Sequence, residues 1–124
     1  MIIAVDASGG DYAPYEIVKG VVQAAQQYKG IEIALVGNSE ILHVLAGRYL
    51  NKLPIHFVEA PEVINFNEHA VQAVKSKPGS SIVVGINLLK EKRADAFVSA
   101  GHSGAVFAAA MLTLGKIKNI PRPA

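Results

Sequence analysis

The 124-residue chain contains no cysteine. That absence removes disulfides, thiolate nucleophiles and cysteine-based zinc sites together. Charge is scarce as well. Charged residues make up 18% and apolar residues 51%, against a usual charged share of about 25%, so a folded and heavily buried chain is expected rather than a disordered one. Twelve Lys and Arg stand against ten Asp and Glu, a formal charge of +2. The positive residues are scattered, and no nucleic-acid surface is expected. Long apolar runs are missing: the longest, AVFAAAML, has eight residues, whereas a membrane span needs about 20. The opening MIIAVDASGGD meets an acid at Asp6 and lacks the basic start and long apolar core of a signal peptide. These features lead to the expectation of a cytoplasmic protein, and they leave a peripheral membrane contact open.

What is present is a regular alternation of short β-rich runs and longer helical stretches. MIIAV (1–5) reads as a strand, and Pro14 falls where a first helical turn tolerates a missing N–H. Ile17, Val18, Val21, Val22 and Ala25 then form a helical stripe closed by Gly30. IEIALVG (31–37) is a second strand, followed by a helix using Ile41, Leu42 and Leu45, and IHFVEA (55–60) is a third. After an irregular stretch over 61–66, Asn67 is expected to cap a short helix through Lys75. Ser80 or Ser81 caps the next helix, DAFVSAG (95–101) is a fourth strand, and a last helix runs from Ser103 to Leu114. Strands separated by helices predict βαβ units: an α/β protein with a largely parallel sheet covered on both faces, a three-layer α/β/α arrangement. Four short strands make a small sheet, so the chain is expected to be an incomplete domain, the front part of a longer protein.

In such a sheet, ligands bind beyond the carboxyl ends of the strands, where helix N-termini present free N–H groups. Two segments fall there. The first, Asp6-Ala7-Ser8-Gly9-Gly10-Asp11, pairs two carboxylates with two glycines; it suits ligand contact or turn capping, but its spacing is not the GxGxxG of a dinucleotide fold. The second, Ser99-Ala100-Gly101-His102-Ser103-Gly104, combines hydroxyls with glycine-exposed N–H groups and suits an anion nest. A lipase-type GxSxG elbow around Ser103 fails by one position, because Ala105 stands where glycine is needed. The alternative role for Ser103 is a helix N-cap, which is compatible with anion binding. Among the histidines, His43 reads as a surface or packing residue and His56 as structural. His69 and His102 lie in the loops and are candidates to donate to an anion or move a proton. No HExxH-type spacing appears, so no metal site is expected.

Several of these segments resemble one family. DASGGD is similar to the DAMGGD opening of the bacterial phosphate acyltransferases of phospholipid synthesis, the acyl-carrier-protein–phosphate acyltransferase family called PlsX. APEVI, SKPGSSIVVGINLLKEKRADAFVSAGHSGA and GKIKNIPRPA also look like that family, whose glycine loop commonly reads SAGNTGA. The resemblance runs co-linearly over the whole chain, and family members are close to three times as long, which makes residues 1–124 their N-terminal portion. It implies a fold like that of isocitrate dehydrogenase and phosphotransacetylase, and a homodimer. It also implies a reaction in which long-chain acyl-carrier protein and inorganic phosphate give acyl phosphate and free carrier. The carrier protein is then a partner, no cofactor is needed, and a downstream membrane enzyme passes the acyl group to glycerol 3-phosphate. The resemblance also implies a cytosolic location with peripheral membrane association.

Carried over position by position, Asp6, Gly9, Gly10 and Asp11 match the opening, and Ser99, Gly101 and Gly104 match the second loop. His102 stands where asparagine is common, Ser103 replaces threonine, and Ser8 replaces methionine. Asn67 and Ala70 depart from the acid and proline of an MDEHP-like segment, whereas Glu68 and His69 remain. The expected assignment is Asp11, His69 and His102 as catalytic groups. Asp6, Gly9, Gly10, Ser99, Gly101, His102, Ser103 and Gly104 are then the substrate- or phosphate-binding residues. Two other readings compete: a phosphotransacetylase-like enzyme acting on a small acyl-CoA, and a noncatalytic α/β ligand-binding domain.

Overall fold

A computed structural model describes residues 1–119 and Pro121. The segment GKIKNIPRPA, one of those that resemble the family, runs partly outside that range. Four parallel strands form the sheet: β1 (Ile2–Asp6), β2 (Glu32–Gly37), β3 (Ile55–Glu59) and β4 (Ala96–Val98), in the order β3-β2-β1-β4. Five α-helices connect and cover them: α1 (Tyr15–Gln27), α2 (Ser39–Ala46), α3 (Ala70–Ser76), α4 (Ser81–Lys90) and α5 (Ser103–Thr113).

Burial on both faces explains the strand sequences. In β2, every residue from Ile33 to Gly37 is buried, as a central parallel strand between two helical layers requires. Ile33, Leu35 and Ile55 pack with Val18, Val21, Ala25 and Leu42 of α1 and α2. Ala4, Ala34 and Val36 point the other way, toward Leu88 of α4 and the half-buried Phe97. Behind that layer, Ile82 and Ile86 of α4 meet Ala73 of α3 and Ala105, Ala108 and Ala109 of α5. The three-layer α/β/α reading therefore holds. Small residues let α4 lie close to the sheet. A Cβ on Gly85 would fall 2.6 Å from Cδ1 of Phe97.

Connection handedness places the functional end. The chain steps from β1 to β2 to β3 in one direction with α1 and α2 on one face. It then returns past β1 to β4 with α4 on the opposite face, as right-handed crossovers demand. The chain thus leaves the neighbouring strands β1 and β4 toward helices on opposite faces, the arrangement in which open α/β sheets usually bind ligands, in a crevice at the strands' carboxyl ends.

Besides shifts of one residue at several ends, the elements differ from expectation in four places. β4 spans three residues rather than seven, because it pairs only with Ile3, Ala4 and Val5 before turning away at Ser99. Pro14 occupies the N-cap of α1 rather than its first turn. Asn67 does not cap α3: residues 65–68 close a turn of their own, with Glu68 N–H donating to the Asn65 carbonyl at 3.1 Å, and His69 takes the N-cap. Nor does Ser103 cap α5. His102 does so, for the reason given below. Ser80 caps α4 as expected, its hydroxyl accepting from Val83 N–H at 3.2 Å.

Candidate functional site

Asp6 ends β1 and is 1% exposed. A buried carboxylate must find donors, and two arrive from different directions. Oδ1 accepts Ser8 N–H at 2.9 Å, closing a local turn, and Oδ2 accepts the Ser99 hydroxyl at 2.7 Å. Ser99 Oγ in turn accepts Gly101 N–H at 3.0 Å. One carboxylate thereby shapes both loops and ties the end of β1 to the end of β4. The two sequence-selected segments form one site.

The glycines are explained by that junction. A Cβ on Gly9 would collide with Oδ2 of the buried Asp6 and would lie 2.8 Å from both Cα and N of Gly101, closer than real Cβ contacts come, and the Gly101 atoms are backbone. Gly10 has φ +111°, a conformation that side-chain-bearing residues rarely adopt. Gly104 lies beside the His102 ring, with a hypothetical Cβ 2.9 Å from its Cε1.

His102 is held at both nitrogens. Nδ1 accepts Ala105 N–H at 3.2 Å, which makes the imidazole the N-cap of α5. The ring proton therefore sits on Nε2, which donates to the Glu68 carbonyl at 2.9 Å. Phe66 stacks on the same ring, with centroids 6.4 Å apart and planes 18° from parallel. The cap settles one donor of the first turn of α5. Among the described residues, the N–H groups of Ser103 and Gly104 have no acceptor within the chain, so they are available to an anion at the positive end of the helix dipole.

The remaining candidates lie further out. Asp11 is exposed on the turn before α1 and, among the described residues, makes no ion pair. His69 is exposed, and its Nδ1 accepts Gln72 N–H at 3.5 Å as the cap of α3. Ser103 is exposed at the start of α5.

A strap over residues 61–69 connects the two sides of the crevice. Glu68 Oε2 accepts Asn65 N–H at 2.7 Å and Lys77 Nζ at 2.9 Å. Asn65 N–H and the Lys77 ammonium together hold the Glu68 carboxyl below its ordinary value of 4.5. Lys77 also donates to the Val63 carbonyl at 2.8 Å, and Glu62 Oε1 accepts Gly79 N–H at 2.9 Å. The sequence gives no warning of Phe66, of the Glu68 carbonyl or of Lys77 as parts of this arrangement. The retained Glu68-His69 pair is the one cue to the strap. Among the described residues, no three His, Asp or Glu side chains converge to hold a metal ion. No helix there is long and apolar enough to cross a membrane.

Fold and site together define a parallel α/β protein whose two glycine loops meet at its topological switch point. Comparison with known proteins narrows this. Residues 1–124 match the family described as "Fatty acid synthesis protein", and the chain belongs to that family. It is 59% identical over 124 residues to the phosphate acyltransferase of Dehalococcoides mccartyi, covering all of this chain and 35% of that protein. Identity is 48% to the phosphate acyltransferase of Thermoanaerobacter pseudethanolicus, again over the whole chain and 36% of the relative. It is 50% to that of Dictyoglomus turgidum, over the whole chain and 37% of the relative. The chain thus spans about a third of the length of the curated relatives it matches.

Proposed function

We propose that this chain supplies the phosphate-facing loops of an enzyme that forms acyl phosphate from long-chain acyl-carrier protein and inorganic phosphate in phospholipid synthesis. The observation that carries the reading is the Asp6–Ser99 junction, which brings two glycine loops and the open N-terminus of α5 to one point. The relatives' printed name, phosphate acyltransferase, supplies the reaction class.

The geometry suits a direct displacement. Phosphate is both ligand and nucleophile, and it attacks the thioester carbonyl. Backbone N–H groups of Ser103 and Gly104, with those of the Gly9-Gly10 turn, hold phosphate or the developing tetrahedral oxyanion. Collapse of that intermediate expels the carrier thiolate, so no residue of the chain becomes acylated. This agrees with the absent cysteine and the interrupted GxSxG elbow. Asp6, Ser99 and Gly101 act as positioning residues. His102 positions the first turn of α5, both of its nitrogens being engaged. Asp11 and His69, exposed at the rim, are the side chains free to orient the carrier arm or exchange a proton.

This reading brings with it a kinship to the isocitrate dehydrogenase and phosphotransacetylase folds, and a homodimer in the cytoplasm with peripheral membrane association. It also brings hand-off of the product to a membrane glycerol-3-phosphate acyltransferase. The test uses the full-length gene product: loss of acyl-carrier thioester is followed with and without phosphate, and acyl phosphate is identified by mass. Phosphate-dependent formation of that product upholds the reading. Folded protein that gives neither thioester loss nor acyl phosphate across several chain lengths sinks it. Turnover of small acyl-CoA alone would favour the phosphotransacetylase-like alternative.

A further inference from the structure

Beside the glycine loops lies a cavity of about 450 Å³, bounded by the segments that follow β1, β2 and β3. That is within the ~300–1,000 Å³ of ordinary small-ligand sites. Its walls include Ala13, Pro14, Ile41, Leu42 and Val63, and none of its lining residues is charged. Ile41 and Val63 are 45% and 40% exposed, so two large apolar side chains face this space unburied. Ser8 belongs to both places: it lines the cavity, and its N–H is the local donor to Asp6.

From this we infer that the cavity is the acyl subsite: it receives the methylenes next to the thioester carbonyl, while the glycine loops take the phosphate. The inference rests on the acyltransferase reading. An uncharged and mainly apolar wall, with Ser8, Asn38 and Asn65 as its polar members, disfavours phosphate or a charged carrier surface, and it gains from each methylene removed from water. The carbonyl end lies at Ser8 and Gly9, and the chain runs between Ile41 on α2 and Val63 on the strap.

The test is a chain-length series, octanoyl to hexadecanoyl, on the full-length enzyme and three variants. Val63→Trp and Ile41→Phe fill the cavity from opposite walls. Val44→Trp, at an α2 position 85% exposed and outside the cavity, is the control. In the wild type, kcat/KM is expected to rise about fourfold per methylene seated in the cavity. Both wall variants should flatten that slope and leave the phosphate KM unchanged, and the control should keep the wild-type slope. Wall variants that retain the wild-type slope, or that raise the phosphate KM as much as the acyl KM, overturn the inference. If the wild type makes no acyl phosphate, the acyltransferase reading fails, and calorimetric binding of acyl-pantetheines decides the cavity separately. Affinity that rises with chain length in the wild type and is flat in Val63→Trp upholds it; equal affinities, or no binding, reject it.

Discussion

Replacing Ser99 with alanine tests the junction on which the site depends. The substitution removes the hydroxyl that donates to Asp6 Oδ2 at 2.7 Å and accepts Gly101 N–H at 3.0 Å. Asp6 is 1% exposed, so its carboxylate is left with Ser8 N–H as its donor and little access to water. Hydrogen bonds to charged groups contribute about 1.5–3 kcal/mol, and the Gly101 N–H loses its acceptor too, so a loss of about 2–3 kcal/mol is expected. Urea unfolding of the full-length protein measures this as a shift in midpoint at unchanged slope. Ser99→Thr keeps the hydroxyl and should recover most of the loss. Ser103→Ala, at an exposed position, should stay within the ~0.5 kcal/mol of ordinary surface changes. Combining Ser99→Ala with Asp6→Asn should cost less than the sum of the two, since both remove the same bond. A Ser99→Ala cost no larger than that of Ser103→Ala would refute the reasoning, and the two loops would have to be held together by something else.

Gly9→Ala should abolish phosphate-dependent turnover, because the added methyl meets the backbone of Gly101; wild-type kinetics would show that the loops need not touch. Gly85→Ala should destabilise by about 1–3 kcal/mol through overpacking against Phe97, and Phe97→Leu in the same chain should restore part of the loss in thermal melts. His102→Ala should cost about 1 kcal/mol as a lost N-cap, whereas His102→Asn should keep the cap of α5, since an asparagine oxygen accepts the same N–H. Glu68 contributes a pH-dependent part of stability. Its carboxyl is held low in the folded chain, so its contribution is complete above about pH 4.5 and is lost as pH falls through the folded value. Urea midpoints taken from about pH 6 to pH 3 should fall less steeply for Glu68→Gln than for the wild type.

Strand and helix order was legible because apolar spacing switches cleanly between runs such as IEIALVG and the stripe of Val18, Val21 and Ala25. The ends of elements were less so. DAFVSAG looks like one continuous strand, yet pairing stops at Val98, since Ser99 is drawn off by a carboxylate 93 residues away. A helix start was placed at Asn67 on cap preference, but Glu68 and Lys77 fix that stretch in its own turn. The two glycine loops could be picked out from composition and from the family resemblance, whereas their contact could not. His102 shows the limit most clearly: a histidine in a glycine loop reads as a candidate to move a proton, and nothing in the sequence says that its two nitrogens cap α5 and meet the strap. That geometry also accounts for the asparagine common at this position in the resembling family, since either side chain can accept the Ala105 N–H.

The Asp6–Ser99 bond joins the end of β1 to the end of β4, and this gives the site a place in time as well as in space. Nothing made early along the chain can form it. β1, β2 and β3 can associate through neighbouring segments, but the crevice exists only once β4 has docked along β1 after a loop of some ninety residues has closed. An anion that binds between the loops therefore recognises only a sheet to which β4 has been added, and it stabilises that state over those in which β4 is undocked. Ligand binding here doubles as a report that β4 has docked along β1.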